Sequence, residues 1–347
     1  MPGLRLLLLL GALVSVVPFA SHAAAVAAGS GAKKAPAALA KSEKSRDAAL
    51  LAFQRDLVSV LAPRADARPL LAAALIARPL INPPETLSFH TLVGRAGETT
   101  DSGPFVTWVR LADCDAAADS CPNRAALERL QEQAPDNAAV WLLKLGVDTH
   151  ALDADAARQD LAKAAAAKNY DDYTGASLQA LAASISILPP PPATLDPAHA
   201  AGAYGVQAVL VFGLANTQPQ PALQITAKLC ENAAGDAAIK ADCLKLSKVL
   251  EWGSSPLARS LGLHLREVLA DDPAQQADAK RARRDLTWQV QNFARLSARV
   301  PSDKALSQHL LALARNGGNE MSLLLAALRD SGIATEAPAD WAPTAPE

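Results

Sequence analysis

Half of the 347 residues are hydrophobic, only 4% are aromatic and about 77 are alanine, while 33 Lys+Arg stand against 35 Asp+Glu for a formal net charge of -2. This mix favours helices and is poor strand material, which excludes an all-β sandwich or barrel. The charge balance excludes a strongly basic nucleic-acid binder, and the length allows one large or two ordinary domains.

Residues 1–23 carry the pattern of a secretory signal peptide. Arg5 supplies the positive start, Leu6 to Phe19 is apolar, and Ser21-His22-Ala23 presents small residues for a signal peptidase, with Ala23-Ala24-Ala25 as an alternative. The apolar run of about 14 residues falls short of the roughly 20 that span a bilayer, so a membrane anchor is the weaker reading. Leu70 to Ile81 is interrupted by Arg78 and Pro79, and Val206 to Ala215 is too short, so the mature chain is expected to hold no transmembrane segment. A periplasmic or secreted protein is therefore expected. Residues 24–40, rich in Ala, Gly, Lys and Pro, read as a flexible tether.

Helical spacing of Leu50, Phe53, Leu57, Val60 and Leu61 predicts a first helix over 41–62, and a second apolar helix follows over 68–77. Residues 85–102, punctuated by Gly94 and Gly97, read as a short strand or irregular loop, and 105–113 as a short helix. Helices are then predicted over 123–133, 138–150 and 153–168, with Pro135-Asp136-Asn137 stopping the first and capping the second. A helix over 175–188 closes an N-terminal helical region, 41–188, and the prolines of 189–192 read as a boundary. A C-terminal region, 193–333, is predicted to hold helices over 197–215, 221–233, 236–250 and from Pro256. A long helix follows from Pro273 to about Val300 with Trp288, Phe293 and Leu296 inward, then 303–315 capped by Ser302, and 319–329. The Pro/Ala-rich tail, 334–347, reads as extended, with Trp341 packing back onto the last helices, or else standing as an exposed recognition residue.

The stretch 123–168 resembles tetratricopeptide repeats. Ala134-Pro135-Asp136-Asn137-Ala138-Ala139-Val140-Trp141-Leu142 looks like the end of one repeat and the start of the next. Leu145-Gly146 matches the small-residue contact of the first helix, and Ala157, Leu161 and Ala164 sit where the second helix packs. The resemblance implies an all-α fold of antiparallel helical hairpins in an α-solenoid, TPR- or Sel1-like, whose concave surface binds a protein or peptide.

Cys114, Cys121, Cys230 and Cys243 allow three connectivities. Two local disulfides are the simplest pairing. Cys230 and Cys243 flank the break at Gly235-Asp236 as the two sides of a helical hairpin would. Cys114 and Cys121 can pair only if 113–122 is a loop, because seven residues of continuous helix would hold their Cα atoms roughly 10 Å apart. Zinc competes, but the spacing is not C-x2-C, and no C-x-x-C redox motif occurs.

No catalytic, cofactor or metal pattern stands out: there is no H-E-x-x-H, no G-x-S-x-G and no phosphate loop. His264 lies on an apolar helix face and reads as a core or boundary residue. The dense charge run Lys280, Arg281, Arg283, Arg284 reads as a solvated face, or as a docking patch for an acidic partner or anionic lipid. Trp141 is the aromatic nearest to where a peptide groove would lie, unless it is the repeat's packing residue. The expected function is non-enzymatic binding of a protein or peptide, with no cofactor and no nucleic acid. The alternatives are a cell-wall or sugar-active enzyme on an α-solenoid scaffold, and a structural exported protein without a dedicated ligand.

Overall fold

The computed structural model describes residues 35–114 and 121–343. Residues 1–34, which include the stretch read as a signal peptide and most of that read as a tether, the segment 115–120 and residues 344–347 lie outside the described residues. Among the described residues the fold is all-α, with fifteen α-helices and no strand, and no helix is long and apolar enough to cross a membrane.

The helices run α1 (Ala35–Leu61), α2 (Ala67–Ala77), α3 (Phe89–Glu98), α4 (Pro104–Arg110), α5 (Arg124–Gln133), α6 (Ala138–His150), α7 (Ala154–Ala166) and α8 (Thr174–Ser184). There follow α9 (Gly202–Ala215), α10 (Leu223–Glu231), α11 (Ala237–Glu251), α12 (Pro256–Leu269), α13 (Pro273–Arg299), α14 (Lys304–Asn316) and α15 (Glu320–Asp330). Local chemistry sets many of the starts. Side chains of Ser88, Asn123, Asn137, Asp153, Asp236, Asp272 and Asn319 each accept a hydrogen bond from a first-turn N–H, and α4, α12 and α13 open on proline.

Several boundaries differ from the sequence expectation. Helix α1 begins at Ala35, inside the stretch read as tether, because alanine is the best helix former and outweighs the absence of an apolar period there. Residues 89–98 form α3, where a strand or loop was expected. Ser88 caps it, Leu92, Val93 and Ala96 bury one face, and Gly94 and Gly97 sit where a Cβ would meet nothing. Asp303, not Ser302, caps α14, accepting from the Leu306 N–H. Helix α9 starts at Gly202, five residues later than Pro197.

The proline run 189–192 does not divide the chain into halves. One apolar cluster gathers Leu57 and Leu61 of α1, nearly all of α2, Leu178 and Leu181 of α8, Val211 of α9, Leu310 of α14 and Leu324 of α15. A second gathers Leu130 of α5, Leu142 and Leu145 of α6, Leu161 of α7, Cys230 of α10, Leu246 of α11 and Leu265 of α12. Helix α4 faces both, giving Val106 and Val109 to the first and Trp108 to the second, as does α12 through Leu263 and Leu265. Helices far apart in the chain therefore meet: α2 packs on α8, α14 on α8 and α9, and α11 on α7. A pure solenoid would place each hairpin only against its chain neighbours. Nine of the eleven residues of α2 are buried, the signature of a helix enclosed on all sides.

Both local disulfides are present. Cys114 pairs with Cys121 and Cys230 with Cys243, with Cα atoms 5.4 and 5.7 Å apart. The second closes the α10–α11 hairpin, and both its cysteines are fully buried. Replacing Cys230 and Cys243 together by alanine should lower the unfolding free energy by about 3 kcal/mol, measured by chemical denaturation. Equal stability of the bridged and alanine forms would show that the bridge adds nothing.

Three helix starts meet where the two clusters join. The Ser254 N–H donates to the Tyr170 carbonyl (3.1 Å), the Met321 N–H to the Ser254 carbonyl (3.0 Å) and the Asp172 N–H to the Ser254 hydroxyl (3.2 Å). These contacts join the segments that open α8, α12 and α15. Gly175 must be glycine, because a Cβ there would collide with the Gly318 carbonyl. Asp172, 2% exposed, accepts from the Thr174 N–H at the start of α8 and from the Ser254 hydroxyl. Burial first, and then the Asp172 charge, push the Glu320 carboxyl up to about 7. The native carboxyl thus keeps its proton to higher pH than the unfolded one. Its stability contribution is complete below about pH 4.5 and is lost as pH rises through about 7. Glu320→Gln should stabilise the protein by up to about 3 kcal/mol above pH about 8 and change little below pH about 4. A pH-independent difference in denaturation midpoints would refute this.

Candidate binding site along the long C-terminal helix

Helix α13 is opened by the Asp272 cap and Pro273 and runs for 27 residues. Arg284, Asp285, Trp288 and Gln289 fall on one face by their spacing of one, four and five. Onto this face folds the segment that follows α15. The C-terminus of α15 is closed by Gly332, whose positive φ lets the Gly332 N–H reach the Arg329 carbonyl and the Ile333 N–H reach the Leu328 carbonyl. From there the chain runs back along α13 in the opposite direction, with bends at residues 335–336.

The grip is almost entirely on main chain. Trp288 Nε1 donates to the Ala334 carbonyl (2.8 Å) and Gln289 Nε2 to the Thr335 carbonyl (2.8 Å). Arg284 Nη2 donates to the Ala337 carbonyl (3.0 Å), while the Ala337 N–H donates to Asp285 Oδ1 (3.1 Å). The Arg284–Asp285 pair thereby reads both polar groups of one residue. A turn closed by the Trp341 N–H on the Pro338 carbonyl sends Trp341 back to Trp288, ring centroids 5.4 Å apart and edge to face. Trp341 thus packs back on the last helices, as its sequence context suggests.

The other residues singled out in the sequence do not converge here. Arg283 pairs with Glu267 of α12 (2.7 Å) and Arg281 with Asp278, which also holds Arg266. Three of the four charges in the run are thus ion-paired within the protein. Arg283 ties α13 to α12 and Arg284 ties it to the tail, Arg281 pairs within α13, and Lys280 alone of the four stays without an ion-pair partner among the described residues. Trp141 is a packing residue, 9% exposed, its Nε1 donating to the Pro135 carbonyl and the Lys163 ammonium 4.4 Å from its ring centroid. His264 pairs with Glu231 (2.7 Å), His90 with Asp113 and His309 with Asp330 (both 3.0 Å). Among the described residues no three His, Cys, Asp or Glu side chains are grouped to hold a metal.

Two groups of carboxylates were candidates for chemistry. In the α6–α7 hairpin, Lys144 holds Asp148 (2.6 Å) and the buried Asp160 (3.3 Å), whose carboxyl is raised to about 6 first by desolvation and then by Asp148. It is enclosed between the two helices and serves their packing. Asp136 and Asp171 line a cavity of about 310 Å³ with Asn137 and Tyr173. Both are engaged: Asp136 pairs with Lys168 (2.6 Å) and Asp171 accepts from the Tyr173 N–H (2.9 Å). Asn137 is spent as well, bridging the Asp171 N–H and carbonyl.

The sequence marks Arg284 by its charge run and Trp288 as an inward aromatic, but not Asp285 and Gln289 as their partners, since only the tail's course selects that face. Replacing Arg284 and Trp288 together by alanine should release the tail. Limited proteolysis would then cut within 334–343 while the melting temperature moves by only a few degrees. Unchanged resistance of the tail would show that these bonds do not hold it. Comparison of the chain with protein families, with curated proteins and with solved structures finds no match in any of the three.

Proposed function

We propose that the protein is a non-enzymatic helical scaffold, exported by its N-terminal signal to the periplasm or the exterior, that binds an extended peptide or protein segment. The observation that carries this reading is the α13 face holding residues 334–339 through their main-chain groups. Main-chain bonds are common to every peptide, so the same face suits a segment from another chain, with the tail as its resident occupant. Two disulfides support an oxidising compartment. The α6–α7 hairpin, with Asn137 capping its first helix and Ala157, Leu161 and Ala164 buried on its second, supports a tetratricopeptide-like unit at 123–168. The solenoid of the sequence reading is then confined to that unit.

The test is a labelled peptide spanning Ile333 to Pro343, titrated against the intact protein and against a form ending at Ile333. The shortened form should bind it, and the intact chain should bind it far more weakly because its own tail competes. Failure of the shortened form to bind, while it remains folded, would leave the tail as a brace and favour a structural protein without a dedicated ligand.

A further inference from the structure

A second opening lies between the end of α2, the end of α4, α6 and the loop joining α9 to α10, with a volume of about 400 Å³. Its polar lining comprises Arg78, Thr217, Gln218 and Gln220, of which Arg78 and Gln218 bear on its chemistry. Arg78 sits just beyond α2, half-buried, with Nη1 donating to the Thr217 carbonyl (2.6 Å) and its guanidinium 5.6 Å from the Phe89 ring centroid. Among the described residues no carboxylate pairs with it. Gln218, next in the chain to the residue that anchors Arg78, is 4% exposed, and neither Oε1 nor Nε2 has a hydrogen-bond partner. A buried carboxamide with both ends unpaired is costly, and such groups are rare unless a ligand or water meets them. Leu111, Pro122, Leu143 and Pro219 supply the apolar part of the walls, and Thr217 and Gln220 add further polar groups.

The chemistry of these groups defines a complement. A guanidinium fork suits a carboxylate, and a carboxamide offers one acceptor and one donor, the counterpart of a single peptide unit. A carboxylate next to an amide is an N-acyl amino acid, the group found at the C-terminus of every peptide. The apolar walls suit a small aliphatic side chain, and the volume falls in the range of small-molecule sites. We propose that this cavity binds an N-acyl amino acid carboxylate, as presented by a peptide C-terminus or by the free small molecule. The site is separate from the α13 face and does not depend on it.

The test uses the full mature chain with N-acetyl-alanyl-leucine, followed by calorimetry and by chemical-shift mapping. Binding should centre on the loop at 217–220, and the C-terminal amide of the same probe should bind about tenfold more weakly or worse. Arg78→Gln should cause a similar loss. Gln218→Leu should abolish binding while raising the melting temperature, since it removes an unpaired buried amide and keeps the volume; a purely structural glutamine would not give that pair of effects. N-acetyl-leucine binding as tightly as the longer probe would identify the free small molecule as the natural class, and weaker binding would identify a peptide end. Equal binding of acid and amide, no binding at millimolar probe, or unchanged binding by Gln218→Leu would overturn the proposal. Shifts confined to α13 would do the same, and would leave the α13 reading standing.

Discussion

The structure depends on three helix starts being held together at one buried point. Ser254 is its centre: its N–H, carbonyl and hydroxyl reach Tyr170, Met321 and Asp172, so one residue fixes the openings of α8, α12 and α15 relative to one another. Asp172 has no ion-pair partner among the described residues, and its carboxylate is met instead by the Thr174 N–H at the start of α8 and by the Ser254 hydroxyl. Loss of Ser254 would therefore act on both apolar clusters at once. The approach of the Gly318 carbonyl explains Gly175, where no side chain fits, and Gly318 itself is required by its positive φ.

Around that point the packing relies on alanine. Alanine-rich α2 lies against α1, α3 and α8, its small side chains letting helix backbones approach. The two clusters share α4 and α12, whose successive residues turn about 100° and so reach both sides. The fold is thereby one interlocked body, and the tail along α13 closes its C-terminal side with hydrogen bonds where the core offers little more apolar surface.

What was legible in the sequence was local. Asn137 as a cap, Pro256 and Pro273 as helix starts, the two short-range cysteine pairs and the return of Trp341 all follow from chemistry within a few residues or from a lone aromatic in a proline-rich tail. What was not legible was long-range. Gly94 and Gly97 read as breakers, yet burial of Leu92, Val93 and Ala96 against α2 outweighs their cost. The proline run at 189–192 reads as a boundary, yet tertiary packing carries the same core across it. Arg78 entered the sequence reading only as an interruption of an apolar run, and Gln218 not at all. Their meeting depends on a loop after α9 reaching a helix end 139 residues earlier, which no local pattern encodes.

The enclosure of α2 has a consequence for synthesis. A ribosome delivers α2 among the first elements, but its cover is completed by α8 and by a cluster that includes α14 and α15. Until those late segments arrive, an alanine- and leucine-rich helix is left with its apolar faces open to any other nascent chain. The order of emergence, rather than the strength of any single contact, then sets the period of risk. The first hundred residues are therefore exposed to association for longer than the last.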